Sequence, residues 1–282
     1  MMRESQNGVT GKRMMAIFAH PDDEGQIAGI MAKCASQGTE VYLVFATRGE
    51  LGKTSDPSLL EGKTLAQLRE EELRCVCRVL GVKGLQFLGY REGSFHITNP
   101  FEVIGKIADI IRECNPHVVI TFGPEGVYGH RDHVAISRLV TAAFYSSHKR
   151  NLSQGLRLPQ KLYYTAYPRS LFERLHNQGV EFNIEIDGMI HRISGVPDER
   201  ITTVIDVADF QFQKRKAFRC HRSQARTGDF RWMILEGKLR DLLVTERLVR
   251  VFPLARGGET EGDLFDEYPL GDGIWKFSST RR

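Results

Sequence analysis

The chain has 282 residues, enough for one large domain or two small ones with a buried core. Its 41% apolar and 26% charged residues suit a soluble globular protein, and no run approaches the roughly 18 consecutive apolar residues of a membrane span. A formal net charge of +4 admits an anionic substrate without marking nucleic acid, and the polar first dozen residues lack a signal-peptide core, so a cytoplasmic protein is expected.

After that leader, residues 13–19 read as a strand, with Met14, Met15, Ala16, Ile17 and Phe18 continuously apolar, the mark of burial on both faces. Gly8 to Lys12 fails as a phosphate loop: its spacing is short, Arg13 stands where Ser or Thr is needed, and it precedes the strand. The strand stops at His20-Pro-Asp-Asp-Glu24, and a helix over 24–37 follows, with Gly38 as its stop. A second strand, 41–46, ends in Thr47-Arg48-Gly49-Glu50. The spacing then predicts a helix over 64–80 closed by Gly81, a short strand over 85–88 and the loop 89–94.

An amphipathic helix over 101–114 carries Val103, Ile104, Ile107, Ile110 and Ile111, and Pro116 ends it. The strand 117–122 leads through the glycine-rich loop 123–129 to His130 and a helix over 132–147. Four alternations of strand and helix argue an α/β fold, a Rossmann-like, mostly parallel sheet with helices on both faces. Right-handed crossovers place every strand's C-terminal end on one edge, so the loops holding His20, 47–50, 90–92 and 128–133 share that edge.

The second half is less regular. Strands are expected over 162–167 and 202–205, with Asp206 capping a helix over 207–220 and a last amphipathic helix over 229–248. The tail from Gly257 reads as an arm over the surface or a contact to another subunit in a homo-oligomer. One domain over 1–282 is expected, with a core over about 13–225 and a C-terminal helix and tail over 226–282. The five cysteines, Cys34, Cys75, Cys77, Cys114 and Cys220, are odd in number and lack Cys-x-x-Cys spacing, which suggests reduced, structural thiols.

His20 and Asp23 on one loop and His133 on another offer two nitrogens and a carboxylate oxygen, a set that suits catalytic zinc with an open position for water. Zinc would lower that water's pKa toward about 7. Asp22 is then the general base, and His130 the general acid or oxyanion partner. Asp132 is placed to orient His130, and Tyr128 to donate to the oxyanion. The plainer alternatives are that acids in a first turn simply answer the helix dipole and that Asp132 is an ordinary N-cap. Two His/Asp clusters on one sheet edge favour function.

Ala19-His-Pro-Asp-Asp-Glu24 together with Gly129-His-Arg-Asp-His133 resembles the LmbE-like, or PIG-L, family of zinc-dependent de-N-acetylases. The resemblance runs through about Gln224. It implies His20, Asp23 and His133 as metal ligands and Asp22 as the base. Arg69-x-x-Glu72 resembles a position whose arginine reaches substrate, Thr47-Arg-Gly-Glu50 resembles the loop after the second strand, and Lys214-x-x-Ala217-x-x-x-His221-x-Ser223-Gln224 resembles a late signature. Arg48, Glu50, Arg69 and Arg91 are thus the candidate substrate-binding residues. Two departures stand out: Arg131 replaces the usual proline, and Arg91-Glu-Gly93 replaces Arg-Asp-Ser, which bears on substrate preference.

The implied reaction is hydrolysis of an N-acetyl amide on a small amino sugar or its conjugate, with one Zn2+, Fe2+ or another divalent metal per chain. The alternatives are an amidase on a larger sugar-thiol conjugate and a non-catalytic nucleotide-binding module. Against the latter, His-Pro-Asp-Asp-Glu occupies the turn where Gly-x-Gly-x-x-Gly belongs. The basic residues around His221 read as a solvated helix face, not a nucleic-acid site. His96, His117, His148, His176 and His191 read as structural or surface residues.

Overall fold

A computed structural model describes residues 11–54, 56–154, 161–186, 188–224, 230–255 and 258–266. The leader's first ten residues, Arg226 and the tail beyond 266, with Tyr268 and Trp275, lie outside the described residues, as do the side chains of His148 and His191.

In chain order the elements are β1 (Arg13–Phe18), α1 (Ala28–Ser36), β2 (Glu40–Phe45), α2 (Leu65–Leu80), β3 (Gly84–Phe87), α3 (Pro100–Cys114) and β4 (Val118–Phe122). A kinked turn, α4 (Gly126–Gly129), precedes α5 (Arg131–Gln154), β5 (Lys161–Ala166) and α6 (Arg169–Asn177). Then come β6 (Asn183–Ile186), β7 (Met189–Arg192), β8 (Thr203–Asp206), α7 (Gln211–Cys220), α8 (Phe230–Leu235), α9 (Arg240–Val244) and β9 (Thr245–Phe252).

The sheet runs β3-β2-β1-β4-β5-β9-β8. Its first five strands are parallel, and β9 lies antiparallel between β5 and β8. The continuous apolar runs find their explanation here: β1 and β4 are central, and Met14 to Phe18 and Val118 to Phe122 are all buried. After β1 the chain winds outward to β2 and β3, then returns to β4 on the other side. The order therefore reverses between β1 and β4, the point in an open α/β sheet where a crevice forms beyond the strands' carboxyl ends. Helices α1, α2 and α7 pack with one another, and α3 packs with α5.

The local signals acted as expected. Thr64 and Gln67 form a capping box at the start of α2, Gly81 ends it in the left-handed region, and the Asp206 carboxylate accepts the Ala208 N–H at 2.9 Å. Two expectations are corrected. The helix over 229–248 is instead α8, α9 and the strand β9, because Thr245 to Phe252 alternates inward and outward residues. That alternation is disguised: of the inward Glu246, Leu248 and Arg250, two are charged and buried in pairs, Glu246 with Lys214 and Arg250 with Glu261.

The thiols are not all reduced: Cys75 on α2 and Cys220 at the end of α7 form a disulfide, while Cys34, Cys77 and Cys114 are free. The two are 145 residues apart in sequence, so only the packing of α2 on α7 brings them together.

A second apolar cluster of Leu171, Leu175, Phe218, Ile234, Leu239, Leu242 and Leu243 joins α6, α7, α8 and α9 beside the sheet. The hairpin β6-β7, unforeseen in the sequence, contacts α4.

Candidate metal centre

Two anchored chain segments meet beyond the carboxyl ends of β1 and β4. The parallel ladder continues past β1, with Ala46 N–H donating to Phe18 O and Thr47 N–H to Ala19 O, so the backbone is fixed up to the residue before His20. The turn that follows puts Asp22 in a left-handed conformation, φ 99°, a region aspartate enters more readily than most residues. The Asp22 N–H donates to Glu24 Oε2 at 2.8 Å, and the other Glu24 oxygen lies 2.6 Å from His221 Nε2. On the other side, Ser137 Oγ of α5 donates to Phe122 O of β4, and the His133 ring stacks on Phe122 with centroids 4.4 Å apart. Gly126 is required by contact: a Cβ there would lie 2.8 Å from Val134 N and 2.9 Å from His133 Cβ.

His20 Nδ1 lies 3.2 Å from His133 Nε2, His133 Nε2 lies 3.3 Å from Asp23 Oδ1, and His20 Nδ1 lies 3.8 Å from Asp23 Oδ2. Bonds of about 2.0–2.1 Å to a tetrahedral ion set ligand atoms about 3.3–3.4 Å apart, which these separations approach.

The tautomers agree. His133 Nδ1 faces the Gly126 carbonyl at 3.2 Å and can only donate to it, leaving a lone pair on Nε2. His20 Nε2 faces Asp132 Oδ2 at 3.3 Å, so in the neutral ring Nδ1 likewise carries the lone pair. Burial lowers the His20 pKa, but Asp132, Asp23 and Glu92 outweigh burial and raise it, so a bound cation would displace the Nδ1 proton. Two lone pairs and a carboxylate therefore converge on one point, which is chemistry that fits a cation.

Electrostatics separate the two adjacent aspartates. Burial raises the Asp22 pKa, but the guanidinium groups of Arg231 at 2.6 Å and Arg69 at 3.2 Å outweigh it and hold Asp22 at about 2. Burial pushes Asp23 up to about 7, with Asp22 adding to the rise and His20 opposing it. Asp23 Oδ2 also accepts the His20 N–H at 2.8 Å. Burial takes His133 well below the usual histidine range, so it is neutral, as a metal ligand would be.

His130 joins the group: one ring nitrogen each of His20, His130 and His133 lie within 4.8 Å of one another, and these three could hold a metal. The Asp132 N–H donates to His130 Nδ1 at 3.2 Å, so the neutral ring carries its proton on Nε2, arranged to donate. Asp132 was expected to orient His130 with its side chain. Instead its fully buried carboxylate takes His20 Nε2, the N–H of Gly93 at 3.1 Å, and His96 through both its N–H and its ring. His96, read as structural or surface, thus touches the site's second layer. The Tyr128 ring lies 5.2 Å from that of His133, and burial with Asp23 and Asp22 nearby raises its pKa, keeping it protonated.

The candidate substrate residues are placed variously. Arg69 is 3% exposed and donates to Pro21 O and Gly49 O, so here it braces the turn. Arg48 pairs with Glu70 and covers Phe87. Glu50 accepts the N–H groups of Arg48 and Glu92, tying two loops together. Arg91 is exposed, and Glu92 Oε1 lies 3.8 Å from His20 Nε2. Arg231 carries no signal in the sequence, because it sits far along the chain in no recognisable pattern.

Residues 15–144 match the family model described as GlcNAc-PI de-N-acetylase. The chain is 31% identical over 287 residues to the 1D-myo-inositol 2-acetamido-2-deoxy-alpha-D-glucopyranoside deacetylase of Streptomyces avermitilis, covering 90% of this chain and 97% of that one. Among solved structures it resembles the N,N'-diacetylchitobiose deacetylase of Pyrococcus horikoshii, with TM-score 0.60, 24% identity, and 86% and 84% of the two chains covered. It resembles equally the 4-carboxy-2-hydroxymuconate hydratase of Pseudomonas putida, with TM-score 0.61, 19% identity, and 87% and 98% covered. Likenesses this remote speak for the fold alone.

Proposed function

Because the chain belongs to the GlcNAc-PI de-N-acetylase, or PIG-L, family, we propose that it is a metal-dependent hydrolase removing an N-acetyl group from an amino sugar conjugate. The observation that carries this reading is the convergence of His20 Nδ1, His133 Nε2 and the Asp23 carboxylate at 3.2–3.8 Å.

In this reading His20, Asp23 and His133 hold the ion, taken to be zinc, although imidazole and carboxylate donors also accept Fe2+. When bound, the ion polarises the amide carbonyl and acidifies water. Asp22 takes the proton of the attacking water; its low pKa guarantees the anion but makes it a weak acceptor, so the transfer depends on that water being acidic. His130 and Tyr128 donate hydrogen bonds to the developing oxyanion, and the proton that Asp22 took passes to the departing nitrogen as the C–N bond breaks. Asp132 holds His20 in the ligating tautomer. Acetate and a free amine leave.

The name of the Streptomyces avermitilis relative suggests an N-acetylglucosamine linked to inositol, and a panel of such conjugates tests this. Acetate release should fall to background after dialysis against a chelator and return on adding zinc. Release indifferent to the chelator, or no release from any N-acetyl amino sugar, would contradict the reading.

A further inference from the structure

Two neighbouring carboxylates beside one cation raise a question of selectivity. A carboxylate is a good oxygen ligand for divalent ions, and nothing in its own chemistry keeps Asp22 from joining Asp23 on the metal. A fourth protein ligand beside the water would raise the ligand number to five and crowd the position that substrate needs. What distinguishes the two aspartates is their surroundings. Asp23 receives the His20 N–H and faces His133, whereas Asp22 Oδ2 is met by Arg69 Nη2 at 3.2 Å and Arg231 Nη1 at 2.6 Å.

These two arginines are not equivalent. Arg69 is shared among Pro21 O, Gly49 O and Asp22, so its charge is spread over three acceptors and its first duty is to the turn. Arg231 makes the shorter contact and arrives from a distant part of the chain. It is the second residue of α8, and packing on both sides of it fixes its position.

The preceding residue, Phe230, has ring contacts with Tyr167, Phe172 and Phe182, at centroid distances of 5.3, 5.9 and 4.9 Å. Three residues after Arg231, Ile234 is buried in the second apolar cluster with Leu171, Leu239 and Leu243. That cluster thus does more than finish the fold, since it holds one guanidinium against the residue next to a metal ligand.

We propose that Arg231 is a positioning residue: its ion pair with Asp22 keeps that carboxylate off the metal, reserving it for proton transfer and leaving one coordination position open. The proposal rests on the deacetylase reading above, but its main readout needs no substrate.

The test uses the full chain loaded with cobalt(II), whose visible absorption weakens as the ligand number rises above about four. Arg231→Gln should weaken the band, as Asp22 swings onto the ion, and lower kcat by about a hundredfold, the scale of losing a general base, with KM changed little. Arg231→Lys should recover most of the band. The double variant Asp22→Asn with Arg231→Gln should regain the wild-type band, because no carboxylate remains to join.

A wild-type band in Arg231→Gln would overturn the proposal, and so would a weak band persisting in the double variant, which would mean general loosening of α8. A raised KM with kcat and the band unchanged would also overturn it, assigning Arg231 to the substrate. If the wild type binds cobalt yet releases no acetate, the deacetylase reading fails while the cobalt series still decides the role of Arg231.

Discussion

At the residue scale, the chemistry divides among side chains that sequence spacing alone treats alike. Asp132 lies between two histidines and would be expected to serve His130, yet its carboxylate reaches His20, 112 positions away, across the crevice beyond the ends of β4 and β1. Removing a carboxylate that orients a ligating histidine costs about 10–100-fold in metal affinity or activity. Asp132→Asn should therefore weaken zinc binding by that factor in a competition titration, whereas His130→Ala should lower turnover and leave zinc affinity close to wild type. If His130→Ala loses the metal instead, the third ligand is His130 and not Asp23.

His20, Asp22, Asp23, His130 and His133 were legible because each lies in a short motif at a strand's end. Arg231, His96 and the Glu24–His221 contact were not, because they depend on packing between segments that no local pattern joins.

At the element scale, the parallel half of the sheet was legible because its strands are uniformly apolar and its helices carry caps. β9 was not, because its inward positions include Glu246 and Arg250, which look solvent-facing until their partners are seen. Glu246 holds three elements together: its oxygens accept the N–H groups of Gly29 and Ile30 at the start of α1, at 2.8 and 2.6 Å, and Lys214 of α7 lies 2.6 Å away. The carboxylate thus answers the orphan donors and positive end of α1, the helix that follows the His20 turn. Glu246→Gln would leave Lys214 buried without its anion. Breaking a buried pair this way costs about 3–5 kcal/mol, which urea denaturation should register as a lower midpoint with an unchanged slope. A loss under about 1 kcal/mol would show that Lys214 finds compensation elsewhere.

At the scale of the whole molecule, two apolar clusters share one site. The sheet core positions the candidate ligands, and the C-terminal cluster brings Arg231 and, through α7, His221 to the same turn. The Cys75–Cys220 disulfide joins α2 to α7 just before His221, so it closes a long loop around the site's supporting layer. A cross-link of this kind contributes about 2–4 kcal/mol, chiefly by restricting the unfolded chain. Cys75→Ser with Cys220→Ser should lower the unfolding midpoint accordingly while metal content stays at the wild-type level. Metal lost from the folded double variant would mean instead that the cross-link shapes the centre itself.

In the proposed mechanism Asp22 and Asp23, adjacent in sequence and unlike in surroundings, divide proton transfer from metal binding. The most direct measurement is metal per chain in purified Asp22→Asn and Asp23→Asn, prepared side by side with the wild type. Wild-type metal content is expected in Asp22→Asn and little or none in Asp23→Asn. Equal metal in the two variants, or loss from Asp22→Asn alone, would contradict it.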